Sequence, residues 1–186
     1  MEINKKSTSK ALFKNTGIIA IGQISTKIVN FFLLPLYTAL LTTEEYGLVD
    51  LLITYAGLIA VIVGLQVFQA VFRFLVTIRE NKKECATAIS SIVLFTLLIL
   101  VVYTAIFVPI SKFITVKYAW FLLVYVVSNI LLQTFSSIVR GLGDNTQYAF
   151  ANFFSSAIIV VLNVFFIAIL RLNIGWMLLS YCIGHV

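Results

Sequence analysis

The chain alternates long apolar segments with short polar connections. A membrane-crossing helix needs about 20 mostly apolar residues, and five segments reach that length: 16–41, 48–78, 85–108, 119–139 and 148–170. A sixth apolar segment, 175–186, stops at Val186 before it completes a crossing. The pattern therefore predicts an all-α polytopic transmembrane bundle over residues 1–186, with five full spans and a truncated sixth.

Composition supports a membrane protein. Hydrophobic residues make up 61% of the 186 positions and charged residues only 11%, and the mean hydropathy is +1.08. A soluble domain carries about 25% charged residues. A soluble protein with this composition would expose large apolar patches and aggregate. We therefore predict an integral membrane protein.

The polar connections indicate where helices begin and end. Thr42 and Glu45 fit a capping box at the start of the second helix. Pro109 is predicted to close the third span, and Gly141 and Gly143 fit a helix stop after the fourth. Connections this short make neighbouring helices antiparallel.

The loop cations predict the orientation, because cytoplasmic loops carry an excess of lysine and arginine. With a cytoplasmic N-terminus, the cytoplasmic side collects Lys5, Lys6, Lys10, Lys14, Arg73, Arg79, Lys82, Lys83 and Arg140. The opposite side collects Lys112, Lys117 and Arg171. The N-terminus is therefore predicted to be cytoplasmic, and a sixth helix would return the chain to that side.

Four of the predicted helices carry polar residues at helical spacing. These stripes are Gln23, Lys27 and Asn30; Gln66, Gln69 and Arg73; Tyr125, Asn129, Gln133, Ser136 and Arg140; and Asn152, Ser156 and Asn163. Residues three or four apart share one face of a helix. The stripes either line a shared polar cavity, as charged residues within spans usually do, or hold helices together by hydrogen bonds.

The cations in these stripes each allow two interpretations. Lys27 lies near the middle of the first span, where it either lines a cavity or extends along the helix toward the cytoplasm. Arg73 and Arg140 lie near the ends of helices that run toward the cytoplasm. They either lean back into the membrane or are helix C-terminal cations favoured by the macrodipole.

The residues do not predict an enzyme. There is no Walker motif, and no pair of aspartates that would bind a metal beside a sugar nucleotide. Cys85 and Cys182 lack ligand spacing, and His185 is interpreted as a tolerated polar residue without a partner. We therefore predict neither a metal nor a cofactor.

Several short motifs resemble those of one transporter family. They are "EEYG" at 44–47, "GLQ" at 64–66 with Arg73 after it, and "VRGLGDNTQYA" around Arg140. In this order and spacing they resemble the N-terminal half of bacterial polysaccharide, or lipid-linked oligosaccharide, flippases. These flippases belong to the superfamily that also contains multidrug and toxin extrusion transporters.

The resemblance implies a function and partners. Such transporters have two six-helix halves around a hydrated cavity, and they move a polyprenyl-pyrophosphate-linked glycan from the inner to the outer leaflet by alternating access. The implied location is the bacterial cytoplasmic membrane. The implied partners are the lipid-linked glycan, membrane lipid, and a second six-helix half or a glycan polymerase; nucleic acid is not among them.

The resemblance also assigns candidate binding residues. Lys27 and Arg73 are expected to contact the pyrophosphate, and Asn129, Gln133 and Asn152 the glycan. The other candidate substrate-binding residues are Gln23, Asn30, Gln66, Gln69 and Arg140.

Two other functions stay open. One is a truncated remnant, or a membrane assembly partner of a glycan-export complex, that transports nothing itself. The other is a cation-coupled multidrug exporter, which would favour buried carboxylates, and the predicted spans contain only Asp50, near an end.

Overall fold

The computed structural model describes residues 17, 24, 31, 34–113 and 117–185. Within these ranges the chain is helical apart from short turns. Residues 34–40 form helix α1, and most of the first predicted span, 16–41, lies outside the described residues. The all-α fold predicted from the sequence is confirmed over the described part of the chain.

Helix α2, Thr43–Val63, begins at the predicted capping box. The Glu45 backbone N–H donates to Thr42 Oγ1 (3.3 Å), and the Thr42 backbone N–H donates to Glu45 Oε2 (3.0 Å). These two bonds satisfy donors that a helix start leaves free. The prediction of a helix start at this point is confirmed.

The predicted span 48–78 is divided in the structure. Helix α3, Val67–Ile78, starts after a break at Leu65 and Gln66, whose φ angles are 48° and 53°. These left-handed φ angles interrupt the helix, and each costs a non-glycine residue about 1–2 kcal/mol. Gly64 immediately precedes the break and is the residue in the sequence that is compatible with a helix interruption here. The two helices do not share one continuous face.

Helix α4, Lys82–Phe113, passes through Pro109, so the prediction that proline closes this span was wrong. Proline removes one helical hydrogen bond, to the carbonyl of Ala105. Only the last turn follows it, and that turn remains helical. The 32 residues are about 48 Å long at 1.5 Å per residue. The helix therefore exceeds the ~30 Å apolar core of a bilayer.

The remaining helices complete the bundle. They are α5, Ala119–Gly141; α6, Asn145–Asn163, continued by a π-helix at Val164–Ile169; and α7, Ile174–Gly184. Gly143, with φ 98°, donates its N–H to the Arg140 carbonyl (3.0 Å) and ends α5 where the sequence predicts a stop. Four described helices are long and apolar enough to cross a membrane: α2, α4, α5 and the continuous segment Asn145–Ile169.

Helix α5 lies at the centre of the described bundle, and α2, α3, α4, α6 and α7 all pack against it. Phe121 and Val126 on α5 are fully buried. A Cβ at Gly141 would lie 2.8 Å from Leu75 Cβ, so this glycine permits the close contact with α3. By contrast, α4 exposes large apolar side chains such as Leu94 (71% exposed), as expected of a lipid-facing helix.

Candidate functional site: a polar cavity in the bundle

A cavity of about 650 Å³ lies within the described bundle. Helices α1, α2, α3, α5, α6 and α7 all contribute to its wall. Its polar and charged lining residues are Tyr37, Tyr46, Asp50, Tyr125, Asn129, Gln133, Ser136, Ser137, Arg140, Tyr148, Asn152, Ser155, Ser156, Tyr181 and His185. Such a polar lining is unusual inside a bundle whose outer surface is apolar.

The complete polar stripe of α5 faces this cavity. Tyr125, Asn129, Gln133, Ser136 and Arg140 all line it. Because α5 is continuous over these positions, the helical spacing keeps them on one face. The stripe extends about 22 Å, at 1.5 Å per residue, from Tyr125 to Arg140.

The amide side chains in the cavity form hydrogen bonds within their own helices. Gln133 Nε2 donates to Asn129 Oδ1 (2.7 Å), and Asn152 Nδ2 donates to the Tyr148 carbonyl (2.8 Å). Asn129 Nδ2, Gln133 Oε1 and Asn152 Oδ1 have no protein partner among the described residues. These amides do not join helices to one another, and their free groups are available to a ligand.

Hydrogen bonds between helices occur at other residues. The Tyr103 hydroxyl on α4 donates to the Leu122 carbonyl on α5 (3.1 Å). The Ser155 hydroxyl on α6 donates to the Gly184 carbonyl on α7. Bonds between helices therefore come from hydroxyls, some of which, such as that of Ser155, also line the cavity, whereas the cavity amides Asn129, Gln133 and Asn152 form no such bond among the described residues.

Arg140 lies between two aromatic rings. Its guanidinium carbon is 4.3 Å from the Phe72 ring centre and 5.4 Å from that of Tyr148. Stacking on aromatic faces stabilises a guanidinium, and its place in the last turn of α5 is also favourable for a cation. Its buried Nε has no partner, and no described carboxylate pairs with it. The positive charge is therefore available to an anion in the cavity.

Three tyrosines and a carboxylate also line the cavity. The hydroxyl oxygens of Tyr37 and Tyr181 are 3.4 Å apart, and the rings of Tyr37 and Tyr46 are 6.4 Å apart. Asp50 lies one turn after Tyr46 on α2, and both line the cavity together with Tyr181. We call Tyr37, Tyr46, Tyr181 and Asp50 the tyrosine–carboxylate cluster.

His185 adjoins this cluster, which corrects the interpretation of it as a residue without a partner. Its Nδ1 lies 2.9 Å from the Tyr181 carbonyl oxygen, and its ring centre is 4.9 Å from that of Tyr125. The spacing Met177, Tyr181, His185 places all three on one face of α7, and all three line the cavity. This spacing in the sequence could have predicted that His185 lies on the same face as Tyr181.

The stripe of α3 does not reach the cavity. Gln66, Gln69 and Arg73 are exposed and do not line it. Val71 and Leu75 form the buried face of α3, and residues two positions away from them lie on the opposite face of a helix. Gln69 and Arg73 do share one face of α3, but that face is exposed, and Gln66 lies at the break before the helix.

Some predicted residues cannot be compared with the cavity. Gln23, Lys27 and Asn30 lie outside the described residues. On α6, Asn152 and Ser156 line the cavity. Asn163 does not; it is fully buried and donates to the Ile159 carbonyl (2.8 Å).

The sequence interpretation missed most of the tyrosine–carboxylate cluster. On α2 the cavity-lining residues are Tyr46, Val49, Asp50 and Ile53, at the spacing of one helical face. The sequence analysis assigned Asp50 to a predicted span, near its end, and gave it no binding role. Because Asp50 lies four residues after Tyr46, the two share one face of α2, and this spacing could have predicted that Asp50 faces the bundle interior.

A polytopic helical membrane protein with a polar cavity in its interior is typical of a transporter. Residues 12–186 match a family model described as polysaccharide biosynthesis protein. The chain therefore belongs to this family, whose members are transporters rather than enzymes. No curated protein and no solved structure matches the chain significantly.

Proposed function

We propose that this chain moves a polyprenyl-pyrophosphate-linked oligosaccharide from the inner to the outer leaflet of the bacterial cytoplasmic membrane. It would act by alternating access, as one half of a transporter built from two helical bundles. The observation that carries this proposal is the cavity of about 650 Å³ with the continuous polar stripe of α5 along its wall. Membership of the polysaccharide biosynthesis family supports the same substrate class.

The chemistry of the cavity suits this substrate. A pyrophosphate and a hydroxyl-rich glycan both need a polar path through the membrane, because burying unpaired polar groups in an apolar medium is costly. The guanidinium of Arg140 offers planar donors to phosphate oxygens. The free amide groups of Asn129, Gln133 and Asn152 would replace water around the sugar hydroxyls.

Arg140 is the described cation best suited to the pyrophosphate. It lines the cavity without a carboxylate partner among the described residues, whereas Arg73 is exposed on α3 outside the cavity. The role of Arg73, which the family resemblance implies, is therefore less well supported than that of Arg140. Lys27 remains a prediction from the same resemblance.

One observation favours a second candidate, a cation-coupled multidrug exporter. Asp50 lines the cavity, and a carboxylate there suits an organic cation. The amide stripe and the family model favour the glycan instead. The two candidates differ in the charge of the ligand, so one binding measurement separates them.

The test is a set of matched probes on the full chain in phosphatidylcholine nanodiscs. Geranyl-pyrophosphoryl-N-acetylglucosaminyl-glucose carries both polar groups, geranyl pyrophosphate lacks the sugar, and the geranyl glycoside of the same disaccharide lacks the pyrophosphate. We expect the complete probe to bind at least about tenfold more tightly than either partial probe. Tetraphenylphosphonium binding without binding of the complete probe would contradict the proposal and favour the exporter.

A further inference from the structure

The cavity has groups of opposite charge at its two ends. Arg140 lies in the last turn of α5. Asp50 lies near the start of α2, which packs against α7, and it lines the cavity with Tyr181 of that helix. His185, one turn after Tyr181, contacts Tyr125 in the first half of α5. From the level of Tyr125 to Arg140 the α5 stripe covers about 22 Å, at 1.5 Å per residue. The tyrosine–carboxylate cluster is therefore far from the cation.

No structural role explains Asp50. Thr42 is the N-cap of α2, and Asp50 lies beyond the first turn, where the helix dipole no longer favours a carboxylate. It forms no ion pair or hydrogen bond with any described residue. Its side chain is exposed to the cavity rather than buried in a packed core.

The tyrosine–carboxylate end lacks a compensating cation among the described residues. Lys117 does not line the cavity, and neither does Arg171, which lines a separate pocket together with Glu45. Glu44 and Glu45, in the first turn of the same helix, add further negative charge nearby. An anionic group that entered this end would meet a carboxylate and no cation of the described cavity wall.

We propose that Asp50 makes this cavity select against acidic sugars, so that the part of the glycan distant from the pyrophosphate is neutral or carries an amine. This inference rests on the proposed function. The ligand would be negative only at its pyrophosphate end, beside Arg140. Asp50 is then a specificity-determining residue at the other end.

The physics of the cluster supports this choice. A carboxylate accepts hydrogen bonds from two sugar hydroxyls and binds an ammonium group more strongly. The tyrosines supply apolar ring surface and hydroxyls, a combination that suits the mixed surface of a sugar. A uronic acid, by contrast, would place two like charges side by side, which is unfavourable wherever no cation intervenes.

Two probes test the inference on the full chain in phosphatidylcholine nanodiscs. Both are geranyl-pyrophosphoryl trisaccharides, identical except that the terminal hexose is glucose in one and glucuronic acid in the other. We expect wild type to bind the glucose probe about tenfold more tightly than the glucuronic acid probe. We expect Asp50→Asn to reduce this ratio to less than about twofold while it still binds the glucose probe, because the repulsion is removed.

The controls separate the possible failures. Glu44→Gln removes a nearby carboxylate that does not line the cavity and should keep the wild-type ratio; Asp50→Glu keeps the charge and should do the same. Equal binding of the two probes by wild type would overturn the inference and leave the proposed function intact. Because this comparison uses only wild type, it does not depend on whether a variant folds. Failure of wild type to bind either probe would overturn the proposed function itself.

Discussion

Helices α5 and α3 carry similar polar residues and use them differently. Each has amide side chains followed by an arginine at helical spacing. On α5 these residues line the cavity over most of the helix length. On α3 they are exposed on the side opposite the buried Val71 and Leu75.

The difference between the two helices shows what a polar stripe predicts. Spacing alone identifies residues that share a face, but it does not identify what that face contacts. Helix α5 is continuous and packs against five other helices, so its polar face must point into the bundle. Helix α3 begins at a break and packs its Val71 and Leu75 face against α5, with Leu75 close to Gly141.

The largest expected effect separates the two arginines. Arg140→Ala should weaken binding of geranyl-pyrophosphoryl-N-acetylglucosaminyl-glucose at least about tenfold, because the cation of the cavity wall that is proposed to pair with the phosphate is lost. Arg73→Ala should change it by less than about twofold, as expected of an exposed residue outside the site. Arg140→Lys should be intermediate, since it keeps the charge and loses the stack on Phe72. Equal losses for both alanine variants would remove the distinction between α5 and α3.

The contact between these helices is tested by glycine substitutions. Gly141→Ala should destabilise the protein by about 1–3 kcal/mol, because the new Cβ would overlap Leu75 Cβ. Gly57→Ala, in the middle of α2 with nothing within 4 Å, should instead stabilise it by about 1 kcal/mol. Thermal unfolding in one detergent measures both. Stabilisation by Gly141→Ala would exclude this close packing.

The amides should give a smaller effect on binding. Asn129→Leu and Gln133→Leu should each weaken binding of the same probe by about three- to tenfold, since one hydrogen bond to a ligand contributes about 0.5–1.5 kcal/mol. Gln69→Leu on α3 is the matched control and should have no measurable effect. Titration of the probe measures all three. An effect of Gln69→Leu as large as the others would imply that α3 also faces the ligand.

The smallest expected effect concerns the break between α2 and α3. Gln66→Gly should stabilise the protein by up to about 1 kcal/mol, because glycine adopts φ near 53° without the steric cost. In a continuous helix the same change would destabilise by about 1 kcal/mol. The sign of the shift in unfolding temperature, compared with Gln66→Ala, therefore decides whether the break exists.

Much of the fold was predictable because each feature depends on local sequence. Apolar segment lengths predicted the helices, Thr42 and Glu45 predicted the start of α2, and Gly143 marked the end of α5. The break at Leu65 and Gln66 was not predicted, because a single glycine is compatible with a continuous helix. The continuation of α4 beyond Pro109 was also not predicted. A proline near a helix end removes only one backbone hydrogen bond, so the helix can continue past it.

The site was predictable only on the central helix. All members of the α5 stripe line the cavity, because one continuous helix fixes their common face. The tyrosine–carboxylate cluster joins residues from α1, α2 and α7, which are far apart in the sequence. Such a cluster depends on how helices pack, and helical spacing within one segment does not specify it.

The central claim is that water reaches the α5 stripe inside the bundle. The most direct measurement is labelling with a membrane-impermeant methanethiosulfonate reagent after Cys85 and Cys182, both buried, are replaced by alanine. Single cysteines that replace Asn129 and Gln133 should react with the reagent, and the complete geranyl probe should slow that reaction. A cysteine that replaces the lipid-facing Leu94 should not react. If positions 129 and 133 were as unreactive as position 94 with reagent on both sides of the membrane, the cavity would be closed to water and the account would be contradicted.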